Sequence, residues 1–262
     1  RRHAIDFKVV NPPGLTRSSR EGGGARPEPL EAARAYAADA RRRVADRMED
    51  SLRPLAARGD LRLAHRLLEA AGHDPETDRV LPGSLFAMGD SISLARTWSP
   101  FLPGQPDALR LSREIDRMFV SFGAGAAQPV CDLPALFGAL RAGGLRLGIA
   151  TNDSAAGAEA LVAQCGLHAH LDFVAGYDSG HGAKPGPGML TAFAATIGRP
   201  ASVVAVVGDS LHDVALARAG GAGLAVVVKG GARVDPTVAA AADLVLDRLE
   251  DVTGLVPKLA AG

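Results

Sequence analysis

Aromatic side chains make up only 4 % of this 262-residue sequence, so its core has to be assembled from Ala, Val and Leu. Lysine is scarcer still. Among 29 basic side chains only Lys8, Lys184, Lys229 and Lys258 are lysines, and with 31 Gly and 17 Pro this bias reads as GC-rich coding DNA. Net charge is absent, 29 acidic residues balancing 29 basic ones, which argues against a dedicated binder of nucleic acid or of anionic membranes. The two cysteines, Cys131 and Cys165, share no CxxC spacing and are too few for a disulfide framework. Their apolar flanks mark them as buried, reduced thiols. No run of about 18 apolar residues occurs, so no transmembrane helix is expected. Nothing behind Arg1-Arg2-His3-Ala4 resembles a secretory leader. The expectation is a soluble cytoplasmic protein, monomer or homodimer, without nucleic-acid or membrane partners.

What is present is enough apolar material, 47 % of residues, to bury a full core. Three textures follow one another. A short apolar run, Ala4-Ile5-Asp6-Phe7-Lys8-Val9-Val10, dissolves into Pro, Gly, Ser and Arg up to residue 29. From there to Phe122 the periodicity is helical. Leu30 to Leu55 is rich in Ala, Arg and Glu, Leu61 to Leu68 continues the period until Gly72, and Leu111, Ile115, Met118, Phe119 and Phe122 share one helical face. After Gln128, apolar strands alternate with helices: Leu145–Ala150, Phe173–Gly176, Val203–Val207, Leu224–Val228 and Leu244–Leu246 are the strands. Continuous β-branched strands separated by helices imply a parallel sheet covered on both faces, a doubly wound α/β architecture.

Such a sheet carries its chemistry in the loops at the carboxyl ends of its strands. Three segments stand out there. In Gly208-Asp209-Ser210-Leu211-His212-Asp213, two carboxylates four residues apart at a strand end suit a hard cation such as Mg²⁺. Read structurally, the same residues are a helix N-cap and an acidic first turn. In Gly182-Ala183-Lys184-Pro185 a lysine sits in a rigid loop before a helix, either a fixed positive charge for an anion or a solvated loop residue. Thr151-Asn152 follows a strand and precedes a helix, an arrangement that serves an anion and a plain N-cap equally well.

Taken in this order and spacing, strand–Thr151-Asn152, Lys184-Pro185 before a helix and strand–Gly208-Asp209-Ser210-x-x-Asp213 resemble the haloacid dehalogenase-like hydrolases, with the phosphoglycolate-phosphatase-like branch as the nearest likeness. The resemblance implies a Rossmann-like doubly wound parallel sheet core, residues 1–20 and 126–262, interrupted by an all-helical cap domain over residues 21–125. It also implies a phosphomonoester hydrolase that works through an aspartyl-phosphate on a small soluble phosphate, with Mg²⁺ as cofactor. Carried over residue by residue, Asp6 would be the nucleophile, Thr151 and Asn152 would bind the phosphoryl oxygens, and Lys184 would stabilise their charge. Asp6, Asp209 and Asp213 would form the metal end. His181, three residues before Lys184, is placed to touch the substrate.

The first motif departs from the family pattern. Lys8 stands where the family has its acid/base aspartate, and Val9 stands for a glycine. A lysine near its ordinary pKa of about 10.4 is a poor base at neutral pH. Two accounts stay open: a diverged member with weakened chemistry, or a stretch, residues 7–29, read from GC-rich DNA out of frame. The rival functions are an inactive member that binds phosphate or a metabolite, and a metal-independent 2-haloacid dehalogenase. The Asp209/Asp213 pair argues against the latter. In the helical half, Trp98 is expected to pack between helices, and Arg96 is a candidate contact for a substrate carboxylate.

Overall fold

Valine and leucine runs in the second half of the chain form strands because their branched side chains pack well on a pleated, fully covered surface. In the computed structural model, residues 4–7, 61–77, 79–81, 84–123, 129–229 and 235–257 are described, with backbone only at 4–7, 61, 79, 87, 119 and 121–123. Strand β1 (Ala4–Phe7) is followed in the helical half by α1 (Leu61–Ala71), β2 (His73–Asp74), β3 (Arg79–Val80), α2 (Leu85–Met88), α3 (Ser91–Trp98) and α4 (Ala108–Gly123). Then come α5 (Leu133–Ala142), β4 (Arg146–Ala150), α6 (Ala155–Gln164), β5 (Phe173–Ala175), α7 (Gly188–Thr196), β6 (Val204–Gly208), α8 (Leu211–Gly220), β7 (Leu224–Val228), α9 (Pro236–Ala241) and β8 (Leu244–Leu246). The predicted strands fall within a residue of these bounds. The helix expected over Leu30–Leu55 and the proposed boundaries near residues 20 and 125 lie outside the described residues.

Six strands form one sheet in the order β5-β4-β1-β6-β7-β8, every pair parallel. The order reverses at β1, the point where an open α/β sheet offers a crevice to a ligand. Alternation along the strands assigns the two faces. Leu147, Ile149, Ala205, Val207, Val226 and Val228 pack with Phe137 and Leu140 of α5 and Val162 of α6. Ala150, Val204, Val206, Ala225 and Val227 pack with Met189 and Phe193 of α7 and Val214 of α8. Gly148 belongs to the second face, and a Cβ there would lie 2.8 Å from the Phe193 ring; glycine is what lets α7 approach so closely.

The helical half has its own apolar cluster, built from Leu67 and Ala71 of α1, Leu94, Ala95 and Trp98 of α3, and Leu111 and Ile115 of α4. Leu111 and Ile115 lie on the face that the periodicity marked out. Trp98 is buried, donates its Nε1–H to Leu67 O at 2.7 Å and meets Phe86 edge-on. It is packing material, as its sequence context suggests. This half also holds an antiparallel pair of two-residue strands, β2 and β3, too short to leave a periodic trace. Cys131 and Cys165 are free, and burial pushes the Cys131 thiol up to about 11. Among the described residues no helix is long and apolar enough to cross a membrane.

Candidate functional site

The end of β6 sets the centre of the site. Ser210 caps α8, and Asp213 in its first turn reaches back: Asp213 Oδ2 accepts hydrogen bonds from Ser210 N (3.1 Å) and Ser210 Oγ (2.6 Å). The alternative reading of this segment, an aspartate cap with an exposed acidic first turn, is met in part: an acidic residue does sit in the first turn, but the cap is Ser210 and Asp213 is buried. Asp213 does more. Its other oxygen accepts from Lys184 Nζ at 2.6 Å, the two side chains being 3 % and 2 % exposed. Gly208 makes room for this, since a Cβ there would fall 2.3 Å from the Asp213 carboxyl carbon.

Lys184 also donates to Ala150 O, the last residue of β4, at 3.0 Å. An ammonium has three donors, and described acceptors use two of them. A cis Lys184–Pro185 peptide follows. The loop is clamped by Asn152, whose Oδ1 accepts from Lys184 N (2.8 Å) and whose Nδ2 donates to Lys184 O (3.1 Å). The second Asn152 amide hydrogen serves Met88 O from the helical half, again at 3.1 Å. What Asn152 can offer a phosphoryl oxygen is thus its backbone N–H. Thr151 is buried, donates Oγ1–H to Asp153 Oδ2 (3.2 Å) and accepts from Asp153 N (3.1 Å).

The structure brings Thr151, Asn152, Lys184, Asp209 and Asp213 to one edge of the sheet, with Asp209 half-buried beside Gly208. His181 is exposed on a turn, with its ring 5.9 Å from that of Phe173, and its described contacts include none of the cluster. Arg96 is exposed at the end of α3. The backbone of Asp6 pairs with Gly148 and Val206, three residues before Thr151 and Asp209 respectively. The side chains of Asp6 and Lys8 lie outside the described residues.

Sequence reasoning missed several participants. Met88 O also receives the Nδ1 of His212 at 3.1 Å. Across the same junction Tyr177 donates its hydroxyl to Asp116 Oδ2 of α4 at 2.8 Å. Burial raises the Asp116 carboxyl above the usual carboxylate range, with Asp178 and Asp153 adding to the shift against the hydrogen bonds from Ser91 and Tyr177. Only Met88, whose part is played by its backbone, lacked any sequence clue. The others are polar residues beside the motifs or on the inner face of a helix.

Mg²⁺ keeps several waters and needs only one or two carboxylates. Asp209, a hard oxygen donor at the strand end, fits that demand. Asp213 has both oxygens engaged by Lys184 and Ser210, an arrangement that orients the loop between them. Among the described residues there is no group of three His, Cys, Asp or Glu side chains able to hold a metal.

Comparison with known proteins completes the picture. A family model, haloacid dehalogenase-like hydrolase, matches residues 31–221. A phosphoglycolate phosphatase of Rhodospirillum rubrum is 39 % identical over 113 residues, 43 % of this chain and 46 % of that protein. The chain spans about half the length of the curated relatives it matches. In fold, CbbY of Rhodobacter sphaeroides, solved with phosphate, superposes with a TM-score of 0.59 at 20 % identity over 96 % of both chains. A hydrolase of Pseudomonas syringae gives 0.54 at 22 % identity, covering 74 % of this chain and 88 % of its own.

Proposed function

Because the chain belongs to the haloacid dehalogenase-like hydrolases, we propose that it is a Mg²⁺-dependent phosphomonoester hydrolase of the phosphoglycolate-phosphatase type, acting on a small phosphorylated metabolite. The observation that supports this most is the buried Lys184–Asp213 pair at the edge that also carries Thr151 and Asp209. A cation sealed from solvent, with two of its three donors used by described acceptors, is suited to a phosphoryl oxygen, because low local dielectric strengthens the attraction. The Rhodospirillum phosphatase, 39 % identical over 113 residues, adds support for the reaction class.

In this reading the Asp6 carboxylate attacks phosphorus, the bond to the leaving alkoxide breaks, and water later hydrolyses the aspartyl-phosphate. Lys184 and the Asn152 backbone N–H hold the phosphoryl oxygens throughout, and the Thr151 hydroxyl joins them by turning its one proton from Asp153 to the phosphoryl group. Asp6 and Asp209 hold Mg²⁺, which when bound neutralises charge on the phosphoryl group. Asp213 keeps Lys184 in place. With lysine at position 8 the leaving alkoxide takes its proton from solvent, so turnover is slow for poor leaving groups. The helices between residues 61 and 123, on their own apolar cluster, form part of a cap spanning residues 21–125, and His181 contacts the substrate from the Lys184 loop.

The test is Mg²⁺-dependent release of phosphate from p-nitrophenyl phosphate. Turnover is expected to vanish with a chelator, and in Asp209→Asn and Asp6→Asn. Activity unchanged in Asp209→Asn would overturn the site. Phosphate binding without any turnover would leave an inactive member of the family.

A further inference from the structure

One backbone carbonyl joins the helical half to both strand-end loops. Met88 O accepts from Asn152 Nδ2, after β4, and from His212 Nδ1, after β6, each at 3.1 Å. Met88 ends the four-residue helix α2, where backbone carbonyls have no helical partner of their own. The carbonyl is rigidly presented: Met88 N bonds Ser84 O and Gly89 N bonds Leu85 O at 3.0 and 2.8 Å. Asp90 then caps α3 through Ser93 N at 2.7 Å. A Cβ at residue 89 would fall 2.7 Å from Leu85 O, so this tight exit requires its glycine.

We infer that His212 is a positioning residue, whose Nδ1–H fixes the Met88 carbonyl and thereby seats segment 85–90 across the carboxyl ends of β4 and β6. A carbonyl oxygen can only accept, so Nδ1 carries the proton. Asn152 shares the task but also clamps the Lys184 loop. The described hydrogen bond of His212 goes to Met88 alone. Met88 lies 124 residues from His212 in sequence, so the contact links the two halves and not merely neighbouring turns. His212 makes no described contact with Lys184 or Thr151. Its loss therefore loosens the segment lying against the substrate without disturbing the phosphoryl-holding groups, an effect on binding shared by ground state and transition state.

The kinetic arm of this inference rests on the hydrolase reading; the structural arm does not. An asparagine places its Nδ2 where the histidine Nδ1 stands, whereas glutamine mimics Nε2. With p-nitrophenyl phosphate and with phosphoglycolate, His212→Ala and His212→Gln are expected to raise KM about three- to tenfold, the worth of one hydrogen bond. Their kcat should stay within about twofold of the parent, and His212→Asn should restore KM. His212→Asn as impaired as His212→Ala, or all three indistinguishable from the parent, overturns the inference. Amide exchange over residues 85–90 is measured on the same variants. Faster exchange in the Ala and Gln variants but not in Asn supports it, and equal exchange in all four proteins refutes it. A parent without turnover would sink the hydrolase reading, and the exchange data alone would then decide for or against His212.

Discussion

Lys184 Nζ and Asp213 Oδ1 lie 2.6 Å apart, although 29 residues separate them in the chain. The pair ties the loop before α7 to the first turn of α8, and Ala150 O, its third member, ties both to the end of β4. Three segments are thus fixed around one ammonium group. A buried charge is tolerated only when so partnered, and this partnership is what keeps a cation available in a dry site.

Replacing that cation exposes the arrangement. Lys184→Met is expected to abolish phosphate release and to destabilise the fold by about 3–5 kcal/mol, because Asp213 is left as an unpaired buried carboxylate. Adding Asp213→Asn to it should recover part of the stability in urea titrations and none of the activity.

Gly208 is the second sensitive point. An added methyl would meet the Asp213 carboxyl at 2.3 Å, and the nearest atoms belong to a side chain already held from two sides. Gly208→Ala should cost about 1–3 kcal/mol, as overpacking does, and should lower turnover by displacing Asp213 from Lys184. Urea denaturation and steady-state assays check the two halves of this expectation.

Position 8 lends itself to a gain of function. If lysine there leaves the leaving group to find its own proton, Lys8→Asp should speed hydrolysis of an alkyl phosphate by about 10²-fold or more, the scale of general acid catalysis. The gain for p-nitrophenyl phosphate should be much smaller, since that leaving group needs no proton. Equal gains for both substrates would contradict the assignment.

Asp116 supplies a pH test. Its carboxyl titrates above the ordinary value, chiefly through burial, so the folded state holds its proton more tightly than the unfolded one does. The stability it contributes is then complete below the unfolded pKa and lost as pH rises through the folded pKa. Asparagine accepts the Tyr177 hydrogen bond without that penalty. The melting temperature of Asp116→Asn relative to the parent should therefore rise through the acid range and level off toward neutrality.

Much of this molecule can be read from its residues. Val203–Val207 can only be a covered strand, and the polar residues that follow such strands mark the site edge, which is why Thr151, Lys184 and Asp209 stand out. Helix α4 declared its buried face through Leu111 and Ile115. The use each polar group makes of its atoms was harder to see. Asn152 reads as a phosphate ligand or a cap, yet its amide bridges Lys184 and Met88. No pattern in sequence announces a backbone carbonyl as an acceptor from residues 64 and 124 positions away. The register of Asp6 was equally hidden, because pairing between distant strands depends on neighbours that one short segment does not name.

That short segment has a structural weight out of proportion to its length. Strands β5 and β4 on one side, and β6, β7 and β8 on the other, form two separate hydrogen-bonded ladders whose one bridge is Ala4–Phe7. Thr151, Asn152 and the Lys184 loop ride on the first ladder and the Asp209 loop on the second. Within the sheet their mutual alignment passes through Ala4–Phe7, the keel beneath the Lys184–Asp213 bridge that fastens the same two halves from above.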